Sequence, residues 1–345
     1  MRRLRVACFG AGWVTTHRHI PAMRATGHFD VVALVDRHGD RARREAERLG
    51  VPHAIEGDSV DALGGIDVDA VACGTAPFGH HAVVTGALRA GLHAITEKPF
   101  AMTVAEGEEM AELAASQARV LAVVHNFQFA RSTARIDAWL RRGRLGAPRA
   151  LWALQLSNPR RRLPVWYEEL PLGLFYDESP HLLYLLRHFA GGDLELDTVS
   201  VVPDAGRATP AQLTVQYRAP LPATLSTNFV APVSEWQVAV LGEEAAAVVD
   251  VFRDIALLVP NDHGHGTRDV ARTSWRAGLG HLAGYLRSGP GHLRGTLRYG
   301  NDEVFRRFAH ACATGTPPRG IAVSDALAVL RAQHEIVDAA SGKPG

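Results

Sequence analysis

The chain has 345 residues, of which 47% are hydrophobic and 21% charged, and its formal net charge is +1 at pH 7. This length exceeds one ordinary hydrophobic core and predicts two globular domains, while a net charge near zero argues against general attraction to nucleic acid or anionic membranes. The scattered Cys8, Cys73 and Cys312 fit neither a disulfide framework nor a metal site, and the first apolar run stops at Gly10. We therefore expect reduced thiols, no signal peptide or membrane span, and a cytoplasmic location.

A glycine-rich turn follows the first predicted strand, Leu4 to Phe9, and precedes a helical pattern. Gly10 permits a tight turn, and Gly12 lets the backbone approach a pyrophosphate at the helix N-terminus. Thr15 replaces the third small residue that usually completes such a turn. Strand, turn and helix in this order predict a dinucleotide site. The residues expected beside the cofactor here are Gly10, Gly12, Trp13 and Val14.

The second predicted strand, Phe29 to Val35, ends in Asp36, at about the distance from the glycines expected of the acid that binds the adenosine ribose. A carboxylate there accepts hydrogen bonds from both ribose hydroxyls and repels a 2′-phosphate, which favours NAD over NADP. The neighbouring Arg37 leaves NADP open, because a guanidinium can stack on adenine or pair with that phosphate.

A third buried strand, Val68 to Cys73, leads into a loop that contains Thr75 and His80. A loop leaving the tip of a strand lies beside the cofactor in folds of this kind. Thr75 and His80 could contact the ribose, or they could cap the helix predicted from Ala82 to Ala90; capping is the more common use of such residues.

Only two lysines occur in the chain, Lys98 and Lys343, although Lys and Arg together number 37. Lys98 follows a short apolar strand that Pro99 terminates, so it lies at the carboxyl end of a parallel strand, where open α/β sheets bind ligands. A lysine amine can titrate near neutrality, unlike a guanidinium. Lys98 is therefore a candidate functional cation; a surface ion pair with Glu97 is the alternative.

A helix and another short strand complete the first domain. Thr103 is expected to cap this helix, with Glu106 three residues later in the capping-box position. From Arg149 the pattern changes to strands of period two, which predict a mostly antiparallel sheet. The fold class is thus an α/β Rossmann domain over residues 1–124, followed by an α+β domain over residues 125–345 with an open-faced sheet for substrate binding and oligomerisation. Two amphipathic helices, Asp302 to Ala313 and Val323 to Ala340, are expected to pack on either domain.

A leucine-rich helix in the second domain is predicted to start with Ser179 as N-cap and Pro180 as its first residue. Asp177 lies just before it, and His181 lies in its first turn. An acid and an imidazole at a helix start can tune each other for proton transfer, although helix capping by Asp177 and an ordinary half-buried His181 would give the same pattern.

The glycine turn, Asp36, the triplet Glu97-Lys98-Pro99, Asn126 and the pair Asp177 and His181 together resemble the glucose-fructose oxidoreductase, inositol dehydrogenase and MocA family of nicotinamide enzymes. The resemblance covers nearly the whole chain in the right order. It implies that Lys98, Asp177 and His181 are catalytic, with His181 as general base or acid, Asp177 orienting it and Lys98 stabilising the reacting oxygen. It also implies cofactor contacts from Glu97, Lys98 and Asn126, and a cis bond before Pro99.

Several positions depart from the family pattern: Ala76 replaces Pro, Ser179 replaces Gly, Gln128 stands where Arg is frequent, and Tyr184 replaces an acid found in polyol dehydrogenases. Loss of that acid makes a simple polyol substrate less secure, and Tyr184 could instead stack on a sugar ring or aglycone. Arg160 and Trp166 precede the Asp177 segment and could bind a phosphate or carboxylate; a solvated loop or a subunit contact is the alternative. His263 and His265 are too isolated to predict a metal site.

The resemblance predicts an NAD-dependent oxidoreductase, that is, a dehydrogenase or ketoreductase acting on a secondary alcohol or ketone of a sugar, amino sugar or cyclitol. Two alternatives remain: an enzyme that retains NAD and uses it transiently, for epimerisation or glycosidic cleavage, and a non-catalytic sensor that binds NAD and sugar. The expected partners are a small sugar-like substrate and further copies of the chain, as a homodimer or homotetramer through the second sheet. No metal, nucleic acid or membrane is expected.

Overall fold

The structure is a computed structural model that describes residues 2–342. Lys343, the second lysine of the chain, lies outside the described residues. The chain forms two compact units: the first runs to Asn126 and includes Gly300–Arg331, and the second comprises Phe127–Tyr299 and the chain from Ala332 onward. Residues 300–331 thus lie with the first unit, although the sequence placed them in the second domain. The reason is aromatic packing, since Phe305 lies edge-on to Phe29 with ring centroids 5.9 Å apart.

The first unit contains a six-stranded parallel sheet in the order β3-β2-β1-β4-β5-β6. Its strands are β1 Leu4–Phe9, β2 Phe29–Asp36, β3 His53–Glu56, β4 Ala70–Cys73, β5 His93–Thr96 and β6 Leu121–Val123. Five of them match predicted apolar runs, because they are buried between helices on both faces. The sequence did not show β3, since most of its residues are exposed at the edge of the sheet.

The helices of the chain are α1 Ile20–Thr26, α2 Gly39–Leu49, α3 His80–Arg89, α4 Val104–Ser116, α5 Arg131–Arg141, α6 Leu174–Ala190, α7 Thr267–Leu293, α8 Asn301–Thr314 and α9 Val323–Ala340. A π-helical turn, Thr15–His19, links the glycine turn to α1. The predicted capping box of α4 is confirmed: Thr103 Oγ1 accepts the amide N–H of Glu106 at 3.1 Å, and the Glu106 carboxylate accepts the amide N–H of Thr103.

The second unit contains a seven-stranded sheet in the order β13-β12-β11-β7-β10-β9-β8, in which β7 and β10 are parallel and the other neighbours antiparallel. Its strands are β7 Pro148–Leu156, β8 Glu195–Val202, β9 Gln212–Ala219, β10 Ala223–Asn228, β11 Glu235–Gly242, β12 Ala245–Asp250 and β13 Ile255–Pro260. The two-sheet fold class predicted from the sequence is confirmed.

The start of α6 differs from the prediction. The helix begins at Leu174, whose amide N–H donates to Thr209 Oγ1 at 2.9 Å, and Pro180 lies inside it. Proline cannot donate to the carbonyl four residues back, which leaves the Tyr176 carbonyl without its helical partner. Gln333 of α9, 1% exposed, donates to that carbonyl at 2.5 Å. This long-range contact therefore replaces the helical hydrogen bond that Pro180 cannot donate, and the helix runs through Pro180.

The 27-residue helix α7 was not predicted from the sequence, and its five glycines and Pro290 are unfavourable inside a helix. The glycines instead allow close packing on β13: a side-chain carbon at Gly284 would lie 2.5 Å from Ile255 Cγ2, and one at Gly280 3.4 Å from Leu257. The opposite side of α7 carries large apolar side chains at heptad spacing that are more than half exposed: Trp275, Leu279, Leu282, Leu286 and Leu293. We call these five residues the apolar stripe of α7.

Along the sheet, Trp152 of β7 and Ala239 of β11 are neighbours, followed by Val248 of β12 and Leu257 of β13. Directly paired residues share a face, so α7 covers the β13 edge of a face that carries the partly exposed Trp152 on the middle strand, β7. We call it the outer face; α6 covers the other. Among the described residues, no helix is long and apolar enough to cross a membrane.

Candidate active site

The glycine turn after β1 is closed by a tight contact with the loop after β4. Gly10 has a φ of +86°, and a side-chain carbon there would lie 2.6 Å from the Gly74 carbonyl oxygen. A carbon at Gly74 would in turn lie 2.3 Å from Thr15 Oγ1. The absence of a side chain at Gly74 therefore accommodates Thr15, the departure from the usual small residue. A carbon at Gly12 would meet nothing within 4 Å, so this backbone is open to an approaching ligand.

Asp36 is positioned by the same turn. One carboxylate oxygen accepts the amide N–H of Ala11 at 2.8 Å, and the other accepts that of His38 at 2.9 Å. The side chain is 5% exposed, and a guanidinium nitrogen of Arg41 lies 3.5 Å from Oδ2. Each carboxylate oxygen retains acceptor capacity for a further hydrogen bond, as a ribose hydroxyl would require. Arg37 is exposed beside it.

Trp13 and Val14 extend from the glycine turn into solvent, with 46% and 38% of their surface exposed. The Trp13 ring stacks on His17 with centroids 5.5 Å apart, and the Arg18 guanidinium lies 5.0 Å from the Trp13 ring centre. This exposed aromatic surface next to the open Gly12 is available to a planar ligand.

Thr75 and His80 do not cap α3, which begins at His80 itself and has no side-chain cap. The prediction of capping was wrong because His80 is fully buried and turns inward. Its Nδ1 lies 2.8 Å from the Pro99 carbonyl and its Nε2 3.2 Å from the Thr75 carbonyl. His80 therefore ties the loop after β4 to the segment after β5. Burial lowers the pKa of His80 below its usual value, although the two carbonyls and Glu97 act in the opposite direction.

Lys98 follows β5, at the carboxyl end of the parallel sheet, and the Lys98-Pro99 bond is cis as the resemblance implied. Glu97 accepts the Lys98 amide N–H at 3.0 Å and contacts Nε2 of the buried His19 at 2.6 Å. Burial raises the pKa of Glu97, but the His19 hydrogen bond and the charges of His19 and Lys98 outweigh it, so the pKa is lowered overall. Glu97 thus stays an anion beside Lys98.

Asn126, which ends the N-terminal segment of the first unit, is 7% exposed and follows β6 by three residues. It lies at the same edge of the sheet as Lys98, because β5 and β6 are parallel neighbours. The first unit therefore gathers the glycine turn, Asp36, Lys98 and Asn126 at the carboxyl ends of its strands, where ligands bind to open parallel sheets.

In the second unit, His181 is held by aromatic groups. Its Nδ1 lies 2.9 Å from Tyr184 Oη, which also accepts the amide N–H of Phe127 at 3.0 Å. The ring is 4.8 Å from the Phe127 ring and 5.4 Å from that of Trp236, measured between centroids. Tyr184 is 2% exposed and contributes its hydroxyl, so its ring has no open face for a sugar.

Asp177 lies in the first turn of α6, 9% exposed, one turn before His181. The next residue, Glu178, is buried and faces the sheet: Gln155 donates to it at 2.5 Å, and Arg161 forms an ion pair with it. Arg161 thus anchors the loop after β7 to α6. Arg160 is exposed and Trp166 half-buried on the same loop. Their predicted contact with substrate stays a prediction.

Proton-transfer groups and a cation are thus present without a metal site: among residues 2–342, no group of three or more His, Cys, Asp or Glu side chains could hold a metal ion. Lys98 follows a strand tip of the first unit, and Asp177 and His181 lie in the first half of α6 in the second.

Comparison with known proteins shows what this arrangement is similar to. Residues 4–125 match the profile of the glucose-fructose oxidoreductase, inositol dehydrogenase and MocA family, described as an oxidoreductase family with an NAD-binding Rossmann fold. All of the matched residues lie in the first unit. The first unit is accordingly an NAD(P)-binding Rossmann domain.

Relatives of the chain include reductases and dehydrogenases of sugars and nucleotide-linked sugars. The chain is 32% identical over 222 residues to a dTDP-3,4-didehydro-2,6-dideoxy-alpha-D-glucose 3-reductase of Streptomyces violaceoruber, a match that covers 60% of this chain and 63% of the relative's length. GenD2 from gentamicin A biosynthesis, solved with NAD, has a TM-score of 0.77 at 18% identity, over 99% of this chain and 95% of GenD2. A mutant 3-ketoreductase from Actinomadura kijaniata, solved with TDP-benzene and NADP, has a TM-score of 0.73 at 19% identity and covers 97% of both chains.

Sequence reasoning missed three residues that support the site: His19, Gln333 and the hydroxyl of Tyr184. Their partners lie 78, 157 and 57 residues away in the chain for the bonds to Glu97, Tyr176 and Phe127, respectively. The one available signal was Pro180, whose position in a helix would have required an external donor for the Tyr176 carbonyl.

Proposed function

We propose that the protein is an NAD-dependent oxidoreductase that interconverts a ketone and a secondary alcohol on a sugar, amino sugar or cyclitol. The observation that carries the proposal is the Glu97-Lys98-Pro99 segment of the family's nucleotide domain, with a cis proline and a buried carboxylate beside the lysine. The family and the sugar reductase among its relatives support it.

The residues of the first unit suit a dinucleotide. Gly12 is open where a pyrophosphate would approach, and Asp36 has acceptor capacity for ribose hydroxyls. Thr75, His80, Glu97 and Asn126 line or support the same edge of the sheet. When bound, the nicotinamide supplies or accepts the hydride.

We propose NAD over NADP because the buried Asp36 carboxylate, fixed by the amide N–H groups of Ala11 and His38, would repel a 2′-phosphate. Substitution of Asp36 by Ala should raise the Kd for NADH and lower that for NADPH, measured by fluorescence titration. Equal loss of both affinities would assign Asp36 only to the fold of the turn.

Three residues carry the chemistry in this proposal. Lys98 stabilises negative charge on the reacting oxygen, His181 exchanges a proton with that oxygen, and Asp177 binds a neighbouring hydroxyl or orients the imidazole. The proposal follows from the family resemblance of these three positions and from their places at a strand tip and at the start of a helix.

We propose a homodimer or homotetramer through the outer face of the second sheet. Partly exposed Trp152 of the middle strand and the apolar stripe of α7 over the β13 edge lie on that side, and monomers rarely expose contiguous apolar patches beyond a few hundred Å². The free thiols Cys8, Cys73 and Cys312 support a reducing, cytoplasmic location.

The test is NADH oxidation and NAD reduction by the purified protein with a panel of keto sugars, nucleotide-linked keto sugars, inositols and hexoses. Turnover of a panel member supports the proposal. Cofactor that stays bound through purification, with product formed but no net redox change, would instead favour transient redox. Binding of NADH and sugar without any reaction would favour a sensor.

A further inference from the structure

His19 is a buried histidine that reaches the Lys98 segment from a distant part of the first unit. It is the last residue of the π-helical turn that follows the glycine turn, and it is 2% exposed. Its Nε2 lies 2.6 Å from Oε1 of Glu97, the residue before Lys98. A side-chain contact across 78 residues of sequence thus joins the start of the nucleotide domain to the end of β5.

The Glu97 carboxylate connects this contact to the backbone of Lys98. Its second oxygen, Oε2, accepts the Lys98 amide N–H at 3.0 Å. The amide N–H of Glu97 donates to the Cys73 carbonyl at 2.9 Å, so the backbone of Glu97 is itself held to the end of β4. The two oxygens of one carboxylate therefore have separate partners, the ring of His19 and the backbone of Lys98.

The charge of the carboxylate decides which group donates in the contact with His19. Burial raises the pKa of Glu97, but the His19 hydrogen bond and the charges of His19 and Lys98 outweigh it, so the pKa lies below its usual value. An ionised carboxylate can only accept, so Nε2 of His19 is the donor, whether the ring is neutral or protonated. Without this donor, burial would act on Glu97 with less opposition, and the carboxyl group would hold its proton more readily.

The His19 ring is also packed on its other sides. It contacts the Phe305 ring of α8 edge-to-face, with centroids 5.4 Å apart. A side-chain carbon at Gly74 would lie 2.3 Å from Thr15 Oγ1 and 3.8 Å from His19 Nδ1, so the loop after β4 passes beside this side of the ring. The imidazole is thus enclosed by α8 and by this loop, while Nε2 faces Glu97.

A second buried histidine holds the chain on the other side of Lys98. His80 Nδ1 lies 2.8 Å from the Pro99 carbonyl oxygen. The residues before and after Lys98 are therefore each held by a histidine from a different element, His19 at the end of the π-helical turn and His80 at the start of α3. Together they fix the backbone from which the Lys98 side chain extends.

We propose that His19 is a positioning residue for Lys98, acting through Glu97, in the reaction of the proposed function, on which this inference rests. In this role His19 does not touch the substrate. It holds the carboxylate that holds the Lys98 amide, so that the ammonium group stays where negative charge develops on the reacting oxygen. Because the turn that carries His19 directly follows the glycine turn, one short segment serves both the pyrophosphate and the lysine.

The first arm of the test observes the Lys98 backbone and needs no substrate. The chain has two lysines, so ¹⁵N-lysine labelling gives two amide signals, and Lys98→Met identifies that of Lys98. We expect the Lys98 amide hydrogen to exchange with solvent about tenfold faster or more in His19→Leu, the factor that corresponds to one charge-assisted hydrogen bond. Equal exchange rates in the wild type and His19→Leu would overturn the proposal.

Two polar variants keep this arm decisive if His19→Leu does not fold. The side-chain amide of His19→Gln can donate from nearly the position of Nε2, so exchange of the Lys98 amide should be slow again. The amide of His19→Asn is one methylene shorter and does not reach Glu97, so exchange should be fast. Equal rates in the glutamine and asparagine variants would exclude a role for the donor.

His81 provides the matched control, because it too contacts a glutamate. Its Nε2 lies 2.8 Å from Glu109 Oε2, but these side chains are 29% and 48% exposed. His81→Leu removes the same kind of pair and should leave both the exchange of the Lys98 amide and the turnover unchanged. An effect as large as that of His19→Leu would show that the exchange rate does not report on the buried pair.

The second arm is a double-variant cycle on kcat with the best panel substrate, together with the Kd for NADH. We expect His19→Leu to lower kcat by up to about 100-fold, the loss that a small displacement of a reacting group can cause, with a smaller change in Kd. His19→Gln should recover most of this loss. The double variant His19→Leu, Glu97→Leu should lose no more than Glu97→Leu alone, because His19 acts through Glu97. Losses that multiply would contradict this order of action.

The two arms separate this inference from the proposed function. The expected exchange rates of the Lys98 amide, without turnover of any panel substrate, would refute the proposed function and support the positioning of Lys98 by His19. Turnover of a panel substrate that His19→Leu leaves unchanged would support the proposed function and refute this inference.

Discussion

His80 shows how one buried residue supports the cofactor side of the site. Both ring nitrogens face carbonyl oxygens, those of Pro99 and Thr75, yet a neutral imidazole carries only one N–H. The shorter contact, 2.8 Å to Pro99, identifies Nδ1 as the donor. Burial lowers the pKa of His80, so the folded protein binds a proton here less readily than the unfolded chain does.

The lowered pKa gives a testable dependence of stability on pH. Because the folded-state pKa lies below the unfolded value of about 6.5, the stabilisation is present above that pH and is lost as the pH falls through the folded pKa. We expect urea unfolding of the wild type to lose up to about 1.4 kcal/mol per pH unit below pH 6.5 relative to His80→Asn. Asn keeps a donor for Pro99 but does not titrate. Parallel pH profiles for the two proteins would contradict this role.

At the scale of the element, α6 shows the limit of sequence reasoning. The sequence predicted that Pro180 is the first residue of the helix, which is the commonest helical position of proline. The actual start, Leu174, depends on Thr209, and the break at Pro180 depends on Gln333. Neither contact is local, so no pattern near Pro180 specifies it.

The contribution of Gln333 to the free energy of unfolding should therefore depend on Pro180. Gln333→Leu removes this donor from the buried Tyr176 carbonyl, and we expect a loss of about 1–3 kcal/mol in the free energy of unfolding. Pro180→Ala restores an amide N–H to the same carbonyl, so the loss should shrink in the double variant, measured by urea denaturation. Gln117→Leu, the same change at an exposed position, should cost less than about 0.5 kcal/mol. Equal losses from Gln333→Leu with and without Pro180 would exclude this compensation.

At the scale of the whole molecule, the two sheets followed from the sequence except for β3 and the parallel pairing of β7 with β10, since buried parallel strands give apolar runs and half-buried ones alternate. The sequence also predicted the glycine turn, Asp36 and Lys98, which lie in local strand-and-turn patterns. It failed for α7, whose glycines are unfavourable inside a helix but permit close packing on β13 in the fold.

The exposed side of the second sheet predicts self-association. We expect Trp152→Arg and Leu279→Arg each to lower the molar mass measured by light scattering after size exclusion, since a buried charge at an apolar interface lacks a partner. Val165→Arg, at a side chain that is 95% exposed but lies outside both patches, is the matched control and should leave the mass unchanged. A monomeric wild type would refute the interface.

The central claim is that Lys98 serves hydride transfer at a sugar carbon. The most direct measurement is the turnover of the best panel substrate with NADH by the wild type, Lys98→Met and Arg43→Met, together with the Kd of each protein for NADH. Arg43 is an exposed cation on α2 and serves as the control. The account predicts that Lys98→Met loses turnover by at least about 100-fold, the scale expected when one charge-stabilising group is removed, while folding and NADH binding persist and Arg43→Met is unaffected. Full turnover in Lys98→Met would contradict it.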